Sequence, residues 1–197
     1  KRFFDVVRTV RTPPLVTSNL VYRETKMPYG NHYIILEKGG IRLGIIGILG
    51  ISDDLPDVLD AESGFLEILP PEKVLESLVP EIRDRVDVLV LLSRLDKAAT
   101  GELTAAFPGI DLALSPGGSH GKNEATDSGV PVMTFGRYGT ELGNIKIILE
   151  DGVVTVLDGE SISLACGSVN VPVDEAVNGL IGTDFESTLM KLNAEKK

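Results

Sequence analysis

The stretch KGGIRLGIIGILG, residues 38–50, decides how the whole chain is built. Gly39-Gly40 stands between two apolar runs, and glycine accepts the positive φ angles that a tight hairpin turn demands. Residues 33–36 (YIIL) predict a strand before the turn, and residues 41–49 (IRLGIIGIL) predict one after it. The second run is apolar almost throughout, the pattern of a strand buried on both faces. Such a strand needs a layer above it and a layer below it. Gly44 and Gly47 lie within this strand, so they do not form a dinucleotide-binding loop.

Working outward, residues 86–92 (VDVLVLL) repeat the buried-strand pattern. Residues 72–85 bring Val74, Leu75, Leu78, Val79 and Ile82 to one helical face, and Pro80 is expected to kink that helix. Residues 52–70 read as polar and irregular. Residues 97–107 predict a second helix and residues 110–114 a strand. Helix alternating with buried strand means layered α/β architecture. Residues 115–129 form a loop rich in Gly and Ser, and residues 130–135 and 142–149 are strands. Asp151-Gly152 turns the chain into a strand at 153–157, with another at 162–166, so the later part is antiparallel in character. At the start, Phe3, Phe4, Val7 and Val10 share a helical face that ends before Pro13-Pro14, and residues 15–18 read as a short strand. Near the end, Asp174 and Asp184 are N-cap candidates for a helix pair with Val177, Leu180, Ile181, Phe185, Leu189 and Leu192 on its apolar face.

With 197 residues and 43% hydrophobic content, the chain can bury one core. Its formal charge of −10 repels phosphate backbones and anionic lipid, which makes nucleic acid and membrane surfaces poor partners. No apolar run reaches the roughly 20 residues of a membrane span. Cys166 is the single cysteine, so neither an intrachain disulfide nor a Cys-only metal site can form; within the apolar run 162–166 it packs as a small hydrophobe. Lys1 opens directly onto a helical pattern, so the chain is expected to be a piece of something longer.

Five strings in order resemble one family, the calcineurin-like metallophosphoesterases of the 5′-nucleotidase type. Residues 14–19 (PLVTSN) resemble its "PVLSAN", and residues 38–50 its glycine-rich hairpin strand. Residues 86–93 (VDVLVLLS) resemble the strand ending in "LSH", and residues 107–114 (FPGIDLAL) resemble "PGIDLIL", which precedes "GGHSH". Residues 131–143 (PVMTFGRYGTELG) resemble "PVVQAGAYGKYLG". The resemblance implies an α/β mixed-sheet sandwich of α/β/β/α layers, present here as its C-terminal half with the N-terminal part missing. Residues 1–170 would then be that half-domain, and residues 171–197 a helical segment leading onward.

The family hydrolyses phosphate esters, typically of nucleotides, with two divalent metals (Mn, Zn, Fe or Ca). Two cations about 4 Å apart need several anionic and imidazole ligands around them. The family's first three ligand motifs lie upstream of this chain. At the "LSH" position stands Leu92-Ser93-Arg94, and a guanidinium has no lone pair for a metal. At the "GHxH" position stands Gly117-Gly118-Ser119-His120, with Gly118 in place of the first histidine and Pro116 as an extra residue. His120 is then either an ordinary loop histidine or a relic ligand that keeps a residual contact to metal or substrate, and no cofactor is expected for this chain. Gly30-Asn31-His32 spells the family's "GNH", but it precedes a strand rather than a helix and reads as a turn.

The readings that follow are three. The first is a divergent, inactive family member that binds an oxyanion or a partner. Arg94, Lys122 and the backbone of Gly117, Gly118 and Ser119 would hold phosphate or a nucleotide as a cationic nest. The ordinary use of Arg94 is instead an ion pair to Asp96 or Glu124. The second is a phosphate-ester hydrolase whose metal-binding half is absent from this chain. The third is a structural module of a larger extracytoplasmic protein. The resemblance implies a periplasmic or extracellular location, and either the missing N-terminal segment or a second copy as cover for the open sheet. Arg137, Tyr138 and Gly139 read as a turn between two strands, either a bulge that curves the sheet or, as the resemblance implies, a loop on the substrate side of the site.

Overall fold

A computed structural model of the chain describes residues 14–50, 65–117, 124–125, 129–135, 141–156 and 159–163. The expected helix at 1–10, the helical segment at 171–197, Cys166 and the turn at Arg137 lie outside the described residues. The chain divides into two units after Ser163, and everything described belongs to the first.

The strands are β1 (Leu20–Tyr22), β2 (Tyr33–Lys38), β3 (Ile41–Ile48), β4 (Leu66–Ile68), β5 (Val88–Ser93), β6 (Leu112–Pro116), β7 (Glu124–Ala125), β8 (Pro131–Phe135), β9 (Glu141–Asn144), β10 (Ile147–Glu150), β11 (Val153–Val156) and β12 (Glu160–Ser163). Helix α1 (Pro71–Arg83) precedes β5, and helix α2 (Lys97–Ala106) joins β5 to β6. Six strands make one mixed sheet in the order β2-β3-β5-β6-β8-β7. β3, β5, β6 and β8 run parallel, and the edge strands β2 and β7 run antiparallel to their neighbours. Gly39 (φ 62°) and Gly40 (φ 80°) make the β2–β3 turn, which is why the pair is glycine.

The alternation of side chains along each strand sorts the core into two layers. Ile46, Ile48, Leu89, Leu91, Ala113 and Val132 face α1 and α2, meeting Val74, Leu75, Leu78, Val79, Ile82 and Leu103. Val88, Val90, Leu112 and Met133 point the other way, onto Ile147, Val154 and Val156 of the β10–β11 hairpin. Strands buried on both faces carry no polar alternation, which accounts for the apolar runs in the sequence.

Helix α1 begins with Pro71 and has Glu72 in its first turn and Arg83 in its last, each suited to the helix dipole. It runs without a break through Pro80. Pro80 cannot donate to the Glu76 carbonyl, but both residues are on the exposed face, where solvent can satisfy that carbonyl. In α2, the Asp96 carboxylate caps the N-terminus by accepting from the Ala99 N–H at 2.8 Å.

Three sequence expectations change. Residues 15–18 form no strand; Val16 makes an isolated bridge to Asn31, and the strand begins at Leu20. The stretch 52–70 contains β4, which pairs antiparallel with β1. The run 142–149 is two strands, β9 and β10, because β9 pairs with β12 while β10 pairs with β11. Each change follows from a non-local pairing that local apolar pattern does not encode.

Ion pairs fix the end of the sheet where the parallel strands begin. The Arg83 guanidinium donates to Asp111 Oδ2 at 2.6 Å, to Gly109 O, and to the Val86 and Asp87 carbonyls. Asp111 Oδ2 also accepts the Leu89 N–H at 2.7 Å. Arg42 donates its N–H and both guanidinium arms to Asp87. The side-chain bonds from Arg42, with that backbone N–H, pull the Asp87 carboxyl down to about 2 from its ordinary 3.8. A carboxyl depressed in the folded state stabilises the fold above its unfolded value, and that contribution fades as pH falls toward the folded one. The urea midpoint is therefore expected to drop between about pH 4 and about pH 2, and Asp87→Asn is expected to flatten that part of the curve.

Candidate functional site

The opposite end of the sheet, where β3 and β5 finish, holds a cavity of about 200 Å³ lined by Val16, Gly47, Ile48, Leu49, Leu92, Ser93 and Arg94. The carboxyl ends of parallel strands are where ligands of open α/β sheets collect. Its geometry is set by one backbone segment, residues 15–19, which lies along the end of β3. Ser18 N–H donates to Gly47 O at 2.7 Å, and Gly47 N–H donates to Ser18 Oγ at 3.1 Å. Ser18 Oγ in turn donates to His32 O at 2.5 Å. The approach is so close that a Cβ on Gly47 would lie 2.4 Å from the Val16 carbonyl oxygen, so only glycine fits.

Asn19 anchors this segment and has 0% exposure. Its amide nitrogen donates to Leu49 O at 2.9 Å and Leu69 O at 3.0 Å, while its oxygen accepts the Leu49 N–H at 2.9 Å. Its carbonyl accepts the Leu69 N–H at 2.8 Å. One side chain thus joins the end of β3 to the chain leaving β4. Both residues lay within the string 14–19, but nothing in that string alone signals a clamp.

Arg94 follows β5, and its backbone N–H donates to Ile48 O at 2.8 Å. Its side chain is exposed and makes no hydrogen bond or ion pair with the described residues. Asp96, a candidate partner on sequence grounds, caps α2 instead. Ser93 is buried, and its hydroxyl accepts from Thr100 Oγ1 at 2.8 Å and from Leu95 N–H at 3.1 Å, which ties it to α2 rather than to the cavity. Leu92 lies at the rim with 38% exposure.

Leu92 and Leu114 are register partners, so Arg94 and Pro116 leave the sheet at the same level on adjacent strands. Gly117 follows with φ 84° and turns the chain away from β6. Gly118, Ser119, His120 and Lys122 lie outside the described residues, as does the Glu124 side chain. Gly30-Asn31-His32 is a turn: the Asn31 backbone and side-chain N–H groups both donate to Leu15 O, and His32 contributes its carbonyl to Ser18.

Among the described residues no three His, Cys, Asp or Glu side chains gather as a metal site would require. A permanent cation stands at the strand end where an imidazole is expected, and the adjacent hydroxyl is engaged by α2.

No family model matches this sequence, and no curated protein matches it. Solved structures do. Sulfate thiohydrolase SoxB from Thermus thermophilus superposes with a TM-score of 0.72 at 20% identity, over 91% of this chain and 33% of that one. The calcineurin-like phosphoesterase YfkN from Bacillus subtilis gives 0.66 at 21% identity, over 91% and 64%. A 5′-nucleotidase precursor from Thermus thermophilus gives 0.60 at 19% identity, over 81% and 35%. The fold is that of the calcineurin-like phosphoesterases and 5′-nucleotidases, and the chain spans about a third of the length of SoxB. No described helix is long and apolar enough to cross a membrane.

Replacing Asn19 by alanine leaves the Leu49 N–H and the Leu49 and Leu69 carbonyls without their partner in a buried setting. Asn19→Ala is expected to cost about 3 kcal/mol, read from the urea midpoint, while Asn31→Ala on the exposed turn costs under about 1 kcal/mol.

Proposed function

We infer that this chain is a phosphoesterase-fold domain that binds an oxyanion at Arg94 and does not itself carry out two-metal hydrolysis. The observation that carries this reading is the Arg94 guanidinium, exposed and unpaired among the described residues at the mouth of a cavity. Arginine is a planar fork of donors that stays charged and matches the two oxygens of a phosphate or carboxylate. Gly117, which turns the chain at the same level, begins the loop whose Gly118 and Ser119 amides and Lys122 would complete the anion's shell. Phosphate or a nucleotide is the ligand class we propose, with an extracytoplasmic setting and with a further segment or a second copy covering the rest of the sheet.

A second reading has its own support. Because the chain spans 33% of SoxB and 64% of YfkN, a metal-binding segment outside this sequence could complete a hydrolase of phosphate esters. Stoichiometric Mn, Zn or Fe, together with turnover of nitrophenyl phosphate, would favour it. With added Mn²⁺ this chain alone is expected to give no turnover. Absence of both metal and anion binding would leave a structural module.

The direct test is calorimetric titration with inorganic phosphate and sulfate. Both are expected to bind, and Arg94→Gln is expected to weaken phosphate about tenfold, the worth of one charge-assisted contact. The urea midpoint of that variant should stay unchanged. If neither anion gives heat or raises the unfolding temperature, the reading fails.

A further inference from the structure

The face of the mixed sheet that looks away from the helices is covered unevenly. On β3, Ile46 and Ile48 face the helices, so Ile41, Leu43 and Ile45 face the other way. Register puts Lys38, Leu36 and Ile34 of β2 beside them on that same face. Across this face, burial falls from one side of the sheet to the other. Met133 on β8 and Leu112 on β6 lie beneath the β10–β11 ribbon with 0% and 2% exposure. Leu43, Ile45 and Ile34 are half-buried, and Leu36 and Ile41 reach 48% and 41% exposure. The ribbon thus leaves the β2–β3 hairpin largely bare on this side. Lys38 is exposed there and has no counter-charge among the described residues. Glu37 is on the opposite face of the hairpin, so this apolar surface carries a cation and no carboxylate.

A second surface of the same unit has the opposite charge. β9 and β12 pair so that Leu142 meets Ile162 and Asn144 meets Glu160 on one face. All four are exposed, Leu142 at 55% and Ile162 at 43%, while Gly143 on the other face lies against the Phe135 ring. Glu160 has no cation partner among the described residues. One surface is therefore apolar with a free ammonium, and the other is apolar with a free carboxylate. In the functional reading above a second copy covers the rest of the sheet, and these are the surfaces it would use. The net charge of −10 makes two copies repel one another over most of their area, so association needs a local patch where opposite charges meet. We propose that this chain forms a two-fold dimer in which Leu36 and Ile41 of each copy pack on Leu142 and Ile162 of the other, with Lys38 against Glu160. Two-fold symmetry uses each surface twice and closes the assembly at two copies.

The test is analytical ultracentrifugation of the whole chain over a range of concentrations, which is expected to show a reversible monomer–dimer equilibrium. Leu36→Asp and Leu142→Asp are each expected to weaken the dimer about a hundredfold, because each spoils an apolar contact that occurs twice. Lys38→Glu and Glu160→Lys are each expected to weaken it about tenfold, and the double variant is expected to restore it. All four side chains are exposed, and unchanged urea midpoints at dilutions where every variant is monomeric verify that they fold. A monomer at every concentration overturns the proposal, and so do species larger than a dimer. Association that survives Leu142→Asp, as edge-to-edge pairing of β2 would, also overturns it. So does a charge swap that fails to restore the dimer. The phosphate titration separates this proposal from the anion reading: phosphate heat from a strict monomer leaves oxyanion binding standing, and a dimer that gives no phosphate heat leaves only the dimer.

Discussion

The buried amide of Asn19 is the contact on which the described structure turns. A side-chain amide has two donors and an acceptor, and here all are used on backbone from two separate segments. Without it, the end of β3 and the exit of β4 would each present unpaired backbone groups to the interior. The same clamp places residues 15–19 against Gly47, and thereby creates the one cavity wall that does not belong to the sheet. Structure and candidate site thus share a single hydrogen-bonded joint. A polar residue with no exposed surface is costly unless it is fully satisfied, and this one is.

The two ends of the parallel strands use charge differently. At their beginnings, Arg83 and Arg42 are tied to Asp111 and Asp87, with further bonds to backbone carbonyls. These arginines fix where β5 and β6 start, and their charge is neutralised on the spot. At the other end of β5, Arg94 has no described counter-charge. In a chain with a net charge of −10, an arginine without a carboxylate among the described residues is notable. Electrostatic repulsion disfavours anions in general, so an anion that does bind needs a local and directional cation.

How much of this was legible in the sequence depends on how local each signal was. The hairpin at Gly39-Gly40, the buried strands β3 and β5, both helices and the Asp151-Gly152 turn follow from glycine chemistry and apolar period, and all are present. The short strand β4 was hidden because three residues carry no period, and its partner β1 lies more than forty positions away. The split between β9 and β10 depends on which partner each half meets. Arg94 drew notice as a departure from the motif that residues 86–93 resemble. Asn19 did not, since an asparagine beside a serine looks like any turn. The helix assignment continues through Pro80, where the carbonyl left without a donor lies on the exposed face.

The identity of residue 94 constrains whatever else occupies this end of the sheet. A divalent ion about 5 Å from a guanidinium, at an effective dielectric of about 20, is repelled by about 7 kcal/mol. Arginine cannot relieve this by losing its proton, as lysine or histidine could. A segment that brought a metal pair here would therefore need an anion between metal and arginine, or a displacement of the pair toward its own ligands. The same arithmetic changes sign for a phosphate or carboxylate head, where the fixed cation attracts rather than repels. Histidine at this position would offer a metal a lone pair; arginine offers a fixed positive charge and none.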